Sequence, residues 1–168
     1  MSDKAKTDIE GLNAAIGLCC SQQIGGVDTQ FLCESVSVLN PEEPIFVPLE
    51  MPVHDVMVIL RDNKIGCVLV RGKGGEVEGI FSERDFVLKV FGKEGGTALP
   101  VENFMTREPT CIQPADTVAF ALSLMSQGGF RHLPVVDEDG FAVGLLSVKN
   151  FVDMVSEKVM NELLDFPE

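Results

Sequence analysis

The sequence predicts an α/β chain in which one strand–helix–strand–strand–helix unit is used twice, the two copies packed with pseudo-twofold symmetry. Three observations predict it. Shifting the 168-residue chain by 65 positions lays residues 36–90 on 101–155 without a gap. Within each copy, apolar spacing switches between helix and strand periods in the same order. The composition, 45% apolar and 23% charged, is that of a folded domain and not of a disordered chain. Two copies in so short a chain imply a closed pair, because a solenoid needs more repeats.

The repeat rests on identities at Val36/Val101, Glu43/Glu108, Pro44/Pro109, Val53/Val118, Val70/Val135, Gly75/Gly140, Gly79/Gly144, Ser82/Ser147, Phe86/Phe151, Val87/Val152 and Val90/Val155. Other pairs keep only apolarity, as at Val47/Ile112 and Leu60/Met125. Each unit opens on a short extended segment, Pro44–Val47 or Pro109–Ile112. A helix follows. In the first copy Pro52 suits its first turn, and Val53, Val56, Met57 and Leu60 form its apolar stripe. In the second, Asp116 is placed as N-cap, and Gly128-Gly129 ends the helix. Two strands come next. Cys67–Val70 and Glu76–Phe81 flank the glycine-rich turn at 71–75; His132–Val136 and Phe141–Leu146 flank Asp137–Gly140. A second helix starts at Ser82, running through Val90, and at Ser147, running toward Leu164.

The resulting domain boundaries are an N-terminal extension at 1–34, a first repeat at 35–92, a linker at 93–97, a second repeat at 98–160 and a tail at 161–168. Asp8–Cys20 has the pattern of a short apolar-faced helix.

Charge and cysteine usage exclude several classes. With 26 acidic and 13 basic residues, the net charge of −13 repels nucleic acid and anionic membrane surfaces. There is no apolar run near 18 residues and no secretory pattern, so the expectation is a cytoplasmic protein. Five cysteines without CxxC spacing, and two histidines, predict reduced thiols and no metal site. No G-x-S-x-G or activated-nucleophile pattern is present, which argues against an enzyme. Gly72–Gly75 precedes a strand, not a helix, and so is a hairpin turn and not a phosphate loop; Asp137–Asp139 lacks calcium-loop spacing.

The candidate chemistry lies where the second helices open, at Ser82-Glu-Arg-Asp85 and Ser147-Val-Lys-Asn150. Ser and an acid or amide at this spacing form a capping box, which accounts for both without any ligand. A carboxylate so placed can also accept hydrogen bonds from both hydroxyls of a ribose. Asn150 can accept through its carbonyl only, without charge assistance.

Taken together, Phe130-Arg-His-Leu-Pro-Val-Val-Asp137, Gly140 and Gly144-Leu-Leu-Ser-Val-Lys-Asn150 resemble the signature half of a CBS domain. Cys67–Val70 through Gly79-Ile-Phe-Ser-Glu-Arg-Asp85 resembles its partner half, and Val101–Thr106 before Pro109 resembles the opening of a CBS repeat. The resemblance covers about residues 36–160 and implies a tandem CBS pair, or Bateman module. Such modules are non-catalytic, often dimerise into a disc, and commonly bind AMP, ADP, ATP, NAD or S-adenosylmethionine in clefts between repeats.

The resemblance implies that Ser82, Asp85, Ser147 and Asn150 contact sugar and phosphate, and that Arg131 and His132 reach phosphate. Arg84 and Lys149 are further cation candidates; any of these cations also reads as a solvated group, and His132 reads equally as a half-buried histidine. Apolar strand edges at Val47, Ile112, Leu133, Pro134 and Val135 would hold the base, although each is a core residue by default. The acidic balance favours AMP or ADP over ATP, with Mg²⁺ implied only alongside ATP. The expected function is a homodimeric adenosine-nucleotide sensor signalling to a regulated protein of unknown identity. The rival is an interaction or dimerisation module with vestigial pockets, favoured by Asn150 and the shortage of cations.

Overall fold

The computed structural model describes residues 30–164, and the helix expected over Asp8–Cys20 lies outside them. Strands are β1 (Phe46–Pro48), β2 (Cys67–Arg71), β3 (Val77–Ser82), β4 (Thr106–Arg107), β5 (His132–Val136) and β6 (Ala142–Ser147). Helices are α1 (Val53–Asn63), α2 (Glu83–Asp85), α3 (Val118–Gly128) and α4 (Val148–Leu164). α3, β5 and β6 begin and end 65 residues after α1, β2 and β3, and α4 begins 65 residues after α2.

Local chemistry explains most of these limits. Pro52 sits at the N-cap of α1 with φ −59°, its missing N–H costing nothing there. Lys64 closes α1 in the left-handed region at φ 56°, and Gly129 closes α3 at φ 64°, where no Cβ resists. Gly128 is needed for a different reason, since a Cβ there would overlap the Phe130 ring. The N-cap of α3 is Thr117, whose hydroxyl accepts from Phe120 N at 3.2 Å. The expected cap, Asp116, instead accepts from Gln113 N at 2.7 Å, one turn of chain earlier. The second helix of the first copy also departs from expectation. After the single turn of α2 it widens into a π turn, Phe86–Val90, with Phe91 N donating to Phe86 O at 2.9 Å.

The chain forms two compact units. One holds residues 42–111 and 132–145. Its four-stranded sheet has the order β1-β2-β3-β4, with β1 parallel to β2 and the other pairs antiparallel. β2 and β3 are joined by the predicted hairpin, Gly75 taking φ 96°. The core packs Val47, Val68, Val70 and Phe81 of the sheet on Val53, Val56 and Leu60 of α1, together with Val90, Val101, Phe104 and Met105. Met57, expected in the stripe, is half-buried at its edge. β4 is an element the sequence pattern did not show. It pairs with β3 at Gly79 and Ile80, and Arg107 also makes ion pairs with Glu78 of β3 at 3.1 Å and with Glu102 at 3.6 Å.

The other unit holds 30–41, 112–131 and 146–164 among the described residues. Val36 N donates to Asp116 O at 2.8 Å and Val118 N to Glu34 O at 2.9 Å. These bonds tie the stretch before the first strand to the start of α3. Val36, Leu39, Ile112, Val118, Phe120, Ala121, Met125, Leu146 and Phe151 are its buried apolar residues among the described ones. Pro109–Ile112 does not form the expected strand, and Ile112 makes only an isolated bridge. β5 and β6 pair as a two-stranded sheet, and the chain passes from one unit to the other within β6.

The cysteines correct one expectation. Cys67 and Cys111 are free thiols, but Cys33 is disulfide-bonded.

Candidate functional site

Ser82 ends β3 and caps α2, and both halves of the predicted capping box are made. Asp85 Oδ2 accepts from Ser82 N at 2.9 Å and from Ser82 Oγ at 2.6 Å, while Asp85 N donates to Ser82 Oγ at 3.3 Å. Glu83 N donates to Gly66 O at 3.1 Å, which anchors the helix start to the segment preceding β2.

The second carboxylate oxygen of Asp85 looks elsewhere. Oδ1 lies 2.7 Å from Lys89 Nζ and accepts from Thr106 Oγ1 at 3.3 Å. Lys89 Nζ also donates to Thr106 Oγ1 at 3.1 Å, closing a three-membered cluster. The Asp85 side chain is 14% exposed and that of Lys89 38%, so the pair stands at the surface with the carboxylate partly enclosed. Neither Lys89 nor Thr106 was among the sequence candidates. Lys89 was legible as the i+4 partner of Asp85. Thr106 was not, because only the pairing of Ile80 with Thr106 across β3 and β4 brings it there.

The other candidates distribute over both units. His132 opens β5, half-buried, with its ring against Gly66, where a Cβ would lie 3.1 Å from Cε1. It therefore stands beside the residue that anchors α2. Arg84 is exposed within α2. Val47, Leu133, Pro134 and Val135 are all buried, main chain included, as core residues. In the other unit Ile112 is buried, Arg131 is exposed, and Lys149 pairs with Asp153 along α4. Arg131 O accepts from Val148 N at 3.0 Å, the counterpart of the Gly66–Glu83 bond.

Ser147 and Asn150 reproduce the cap, with Asn150 Oδ1 accepting from Ser147 N at 2.8 Å and from Ser147 Oγ at 2.7 Å. The remaining atom differs. Asn150 Nδ2 donates to Leu39 O at 3.3 Å and to Asn40 O at 3.4 Å. Where Asp85 turns an acceptor toward a lysine and a hydroxyl, Asn150 turns a donor onto main chain.

Cys67 lies beneath the Asp85 site, its Cα paired with that of Ser82. Burial, with Asp85, Glu42 and Glu83 adding negative charge, pushes its thiol up to about 12. Such a thiol is a small apolar core group, not a nucleophile. Burial also raises the Cys111 thiol. Among the described residues, no group of three or more His, Cys, Asp or Glu is placed to hold a metal ion, and no helix is long and apolar enough to cross a membrane.

Comparison with known proteins agrees with the duplicated architecture. The family model described as CBS domain matches twice, at residues 37–92 and 101–157. The Arabidopsis thaliana CBS domain-containing protein CBSCBSPB2 is 31% identical over 127 residues, covering 75% of this chain and 22% of its own length. This chain thus spans about a fifth of that relative. Among solved structures, the CBS domain protein PAE2072 from Pyrobaculum aerophilum, complexed with AMP, has a TM-score of 0.64 at 24% identity, covering 69% of this chain and 88% of that one. The CBS domain pair of protein MJ0100, in complex with 5′-methylthioadenosine and S-adenosyl-L-methionine, has a TM-score of 0.66 at 19% identity, covering 72% and 98%. At these identities the likeness establishes the fold. With two matches that together span more than half of its length, and secondary structure repeating in step with them, the chain belongs to the CBS-domain family.

Proposed function

We propose that this chain is a non-catalytic regulatory module that binds an adenosine nucleotide at Ser82 and Asp85 and passes its presence to a partner protein as a homodimer. The observation that carries the reading is Asp85. Its carboxylate is held by Ser82 on one oxygen and presents the other, partly enclosed, at the surface. An oxygen so placed can accept from ribose hydroxyls. The adenosine-type ligands of PAE2072 and MJ0100 support the ligand class. The net charge of −13 favours AMP or ADP over ATP, which would enter with Mg²⁺, and disfavours nucleic acid and anionic membrane as partners. NAD and S-adenosylmethionine remain in the tested set. His132 and Arg84 are assigned to the phosphate side of the same site. Signalling requires the ligand to bind two packings of the module with different affinity.

The test is calorimetric melting with AMP, ADP, ATP, NAD and S-adenosylmethionine, with and without Mg²⁺. A ligand at 100 times its Kd adds about 2.7 kcal/mol, a rise in Tm of roughly 5–10 °C at this size. The expected result is a shift by one ligand that Asp85→Ala abolishes. A flat panel at millimolar ligand overturns the reading and favours the interaction module. A specific observation favours that second reading for one copy: Asn150 spends its amide on Leu39 and Asn40.

A further inference from the structure

The geometry points to Lys89 as the residue that makes the Asp85 site selective for a ligand bearing a 5′-phosphate, with the Asp85–Lys89 ion pair as its resting state. This rests on the reading that Asp85 takes the ribose.

Lys89 reaches Asp85 from the π turn, one residue before the end of that element, and its ammonium touches both Asp85 Oδ1 and Thr106 Oγ1. Ribose hydroxyls donating to Asp85 Oδ1 approach the same oxygen that Lys89 and Thr106 now occupy. A ligand that engages Asp85 therefore loosens the ammonium from it. An ammonium on a flexible four-carbon stem moves to the strongest anion within reach. A phosphate carries about −1.5 to −2 charges against one for a carboxylate, so a 5′-phosphate attached to that ribose takes Lys89 over. Thr106 Oγ1, freed from the same cluster, is a second donor on the same side.

Four other cations of this unit are engaged away from Asp85, while Arg84 and His132 keep the phosphate-side assignment made above. Arg107 pairs with Glu78 and Glu102, Arg71 lies over the Phe46 ring at 4.0 Å, Lys93 lies over the Phe104 ring at 5.1 Å, and Arg61 pairs with Asp62. Lys89 is the cation already in contact with the ribose-binding candidate. A ligand without an anionic 5′ group removes Lys89 from its carboxylate and offers it nothing comparable. The site thereby discriminates against adenosine and 5′-methylthioadenosine. Its counterpart in the second copy is Met154, which has no charge, so this selectivity belongs to one site per chain.

The experiment is titration calorimetry of the full chain with AMP and with adenosine, for the wild type, Lys89→Met and Lys89→Arg. The wild type is expected to bind AMP at least tenfold more tightly than adenosine. In Lys89→Met that ratio is expected to fall, through weaker AMP binding and through adenosine binding that no longer has to displace an ammonium from Asp85, and Lys89→Arg is expected to restore most of it. Equal loss of AMP and adenosine in Lys89→Met would show that Lys89 acts only by positioning Asp85 and would overturn the assignment. So would an unchanged ratio, or a wild type that binds adenosine as tightly as AMP; in both cases the adenosine site itself stands. Binding of neither compound by the wild type removes the adenosine site, and the role of Lys89 with it.

Discussion

Asp85 and Asn150 cap their helices with the same two bonds to a serine, yet the remaining atom of one faces the Lys89 ammonium and that of the other faces two carbonyls. Asp85 Oδ1 stands 2.7 Å from Lys89 Nζ, whereas Asn150 Nδ2 donates to Leu39 O and Asn40 O at 3.3 and 3.4 Å. The departure from Asp in the second copy is thus a change of job. Asn150 fastens the stretch ahead of the first strand, with Asn40 held at φ 49°, and a carboxylate could not donate there.

Asn150→Asp is expected to lower stability by about 1–3 kcal/mol, because it sets an acceptor against two main-chain acceptors and leaves them unpaired. Chemical denaturation checks this. No loss would show that solvent already satisfies these carbonyls.

Ser82→Ala removes a hydroxyl that both accepts from Asp85 N and donates to Asp85 Oδ2. Loss of a cap of this kind costs about 0.5–2 kcal/mol. Because Asp85 then loses one of its restraints, nucleotide affinity is expected to fall as well. Paired denaturation and calorimetry separate the two effects.

Gly79→Ala is expected to destabilise the unit by about 1–3 kcal/mol. A Cβ at Gly79 would overlap Met105 Sδ, and Met105 is buried at 6% exposure, so its side chain has little room to move. Gly79 also pairs with Arg107 across β3 and β4, so the displacement reaches the strand that carries Thr106. The check is a melting curve together with AMP affinity, both of which should fall.

Cys67 gives an alkaline signature. Its thiol pKa is raised from an ordinary 9.0 to about 12, so the unfolded chain releases this proton first. Folding stability is unaffected by this group below about pH 9 and falls as pH rises from there toward 12, by about 1.4 kcal/mol per pH unit. Cys67→Ala is expected to flatten that slope. In the native protein at pH 8, Cys67 is expected to resist thiol reagents until denaturant is added, as mass spectrometry of labelled peptides would read.

The homodimer within the proposed function has a surface to test in each unit. Val87, Leu88 and Phe91 are 61%, 70% and 76% exposed around the π turn, and Val148, Val152 and Val155 form an exposed stripe along α4. Apolar side chains so grouped mark an association surface. Phe91→Glu combined with Val152→Glu is expected to shift sedimentation from dimer to monomer without lowering the helix signal in circular dichroism. A wild type that sediments as a monomer would remove the dimer from the proposal.

The repeat, the order of elements and the serine caps were legible in the sequence because they depend on neighbours a few residues apart. Apolar spacing decides helix or strand, a Ser three residues before Asp or Asn makes the cap, and Gly75, Gly129 and Gly140 supply positive φ. The local readings failed where two caps competed within two residues, as at Asp116 and Thr117, and where the helix after Asp85 widened into a π turn. Tertiary structure alone decided what each capped residue does with its remaining atom. Thr106 reaches Asp85 through the pairing of β3 with β4, and Leu39 reaches Asn150 across 111 residues of chain. Two motifs that form the same serine cap were sent to different chemistry because a hydrogen-bonding group takes the partner that packing places within reach, and that partner is set by distant segments of the chain.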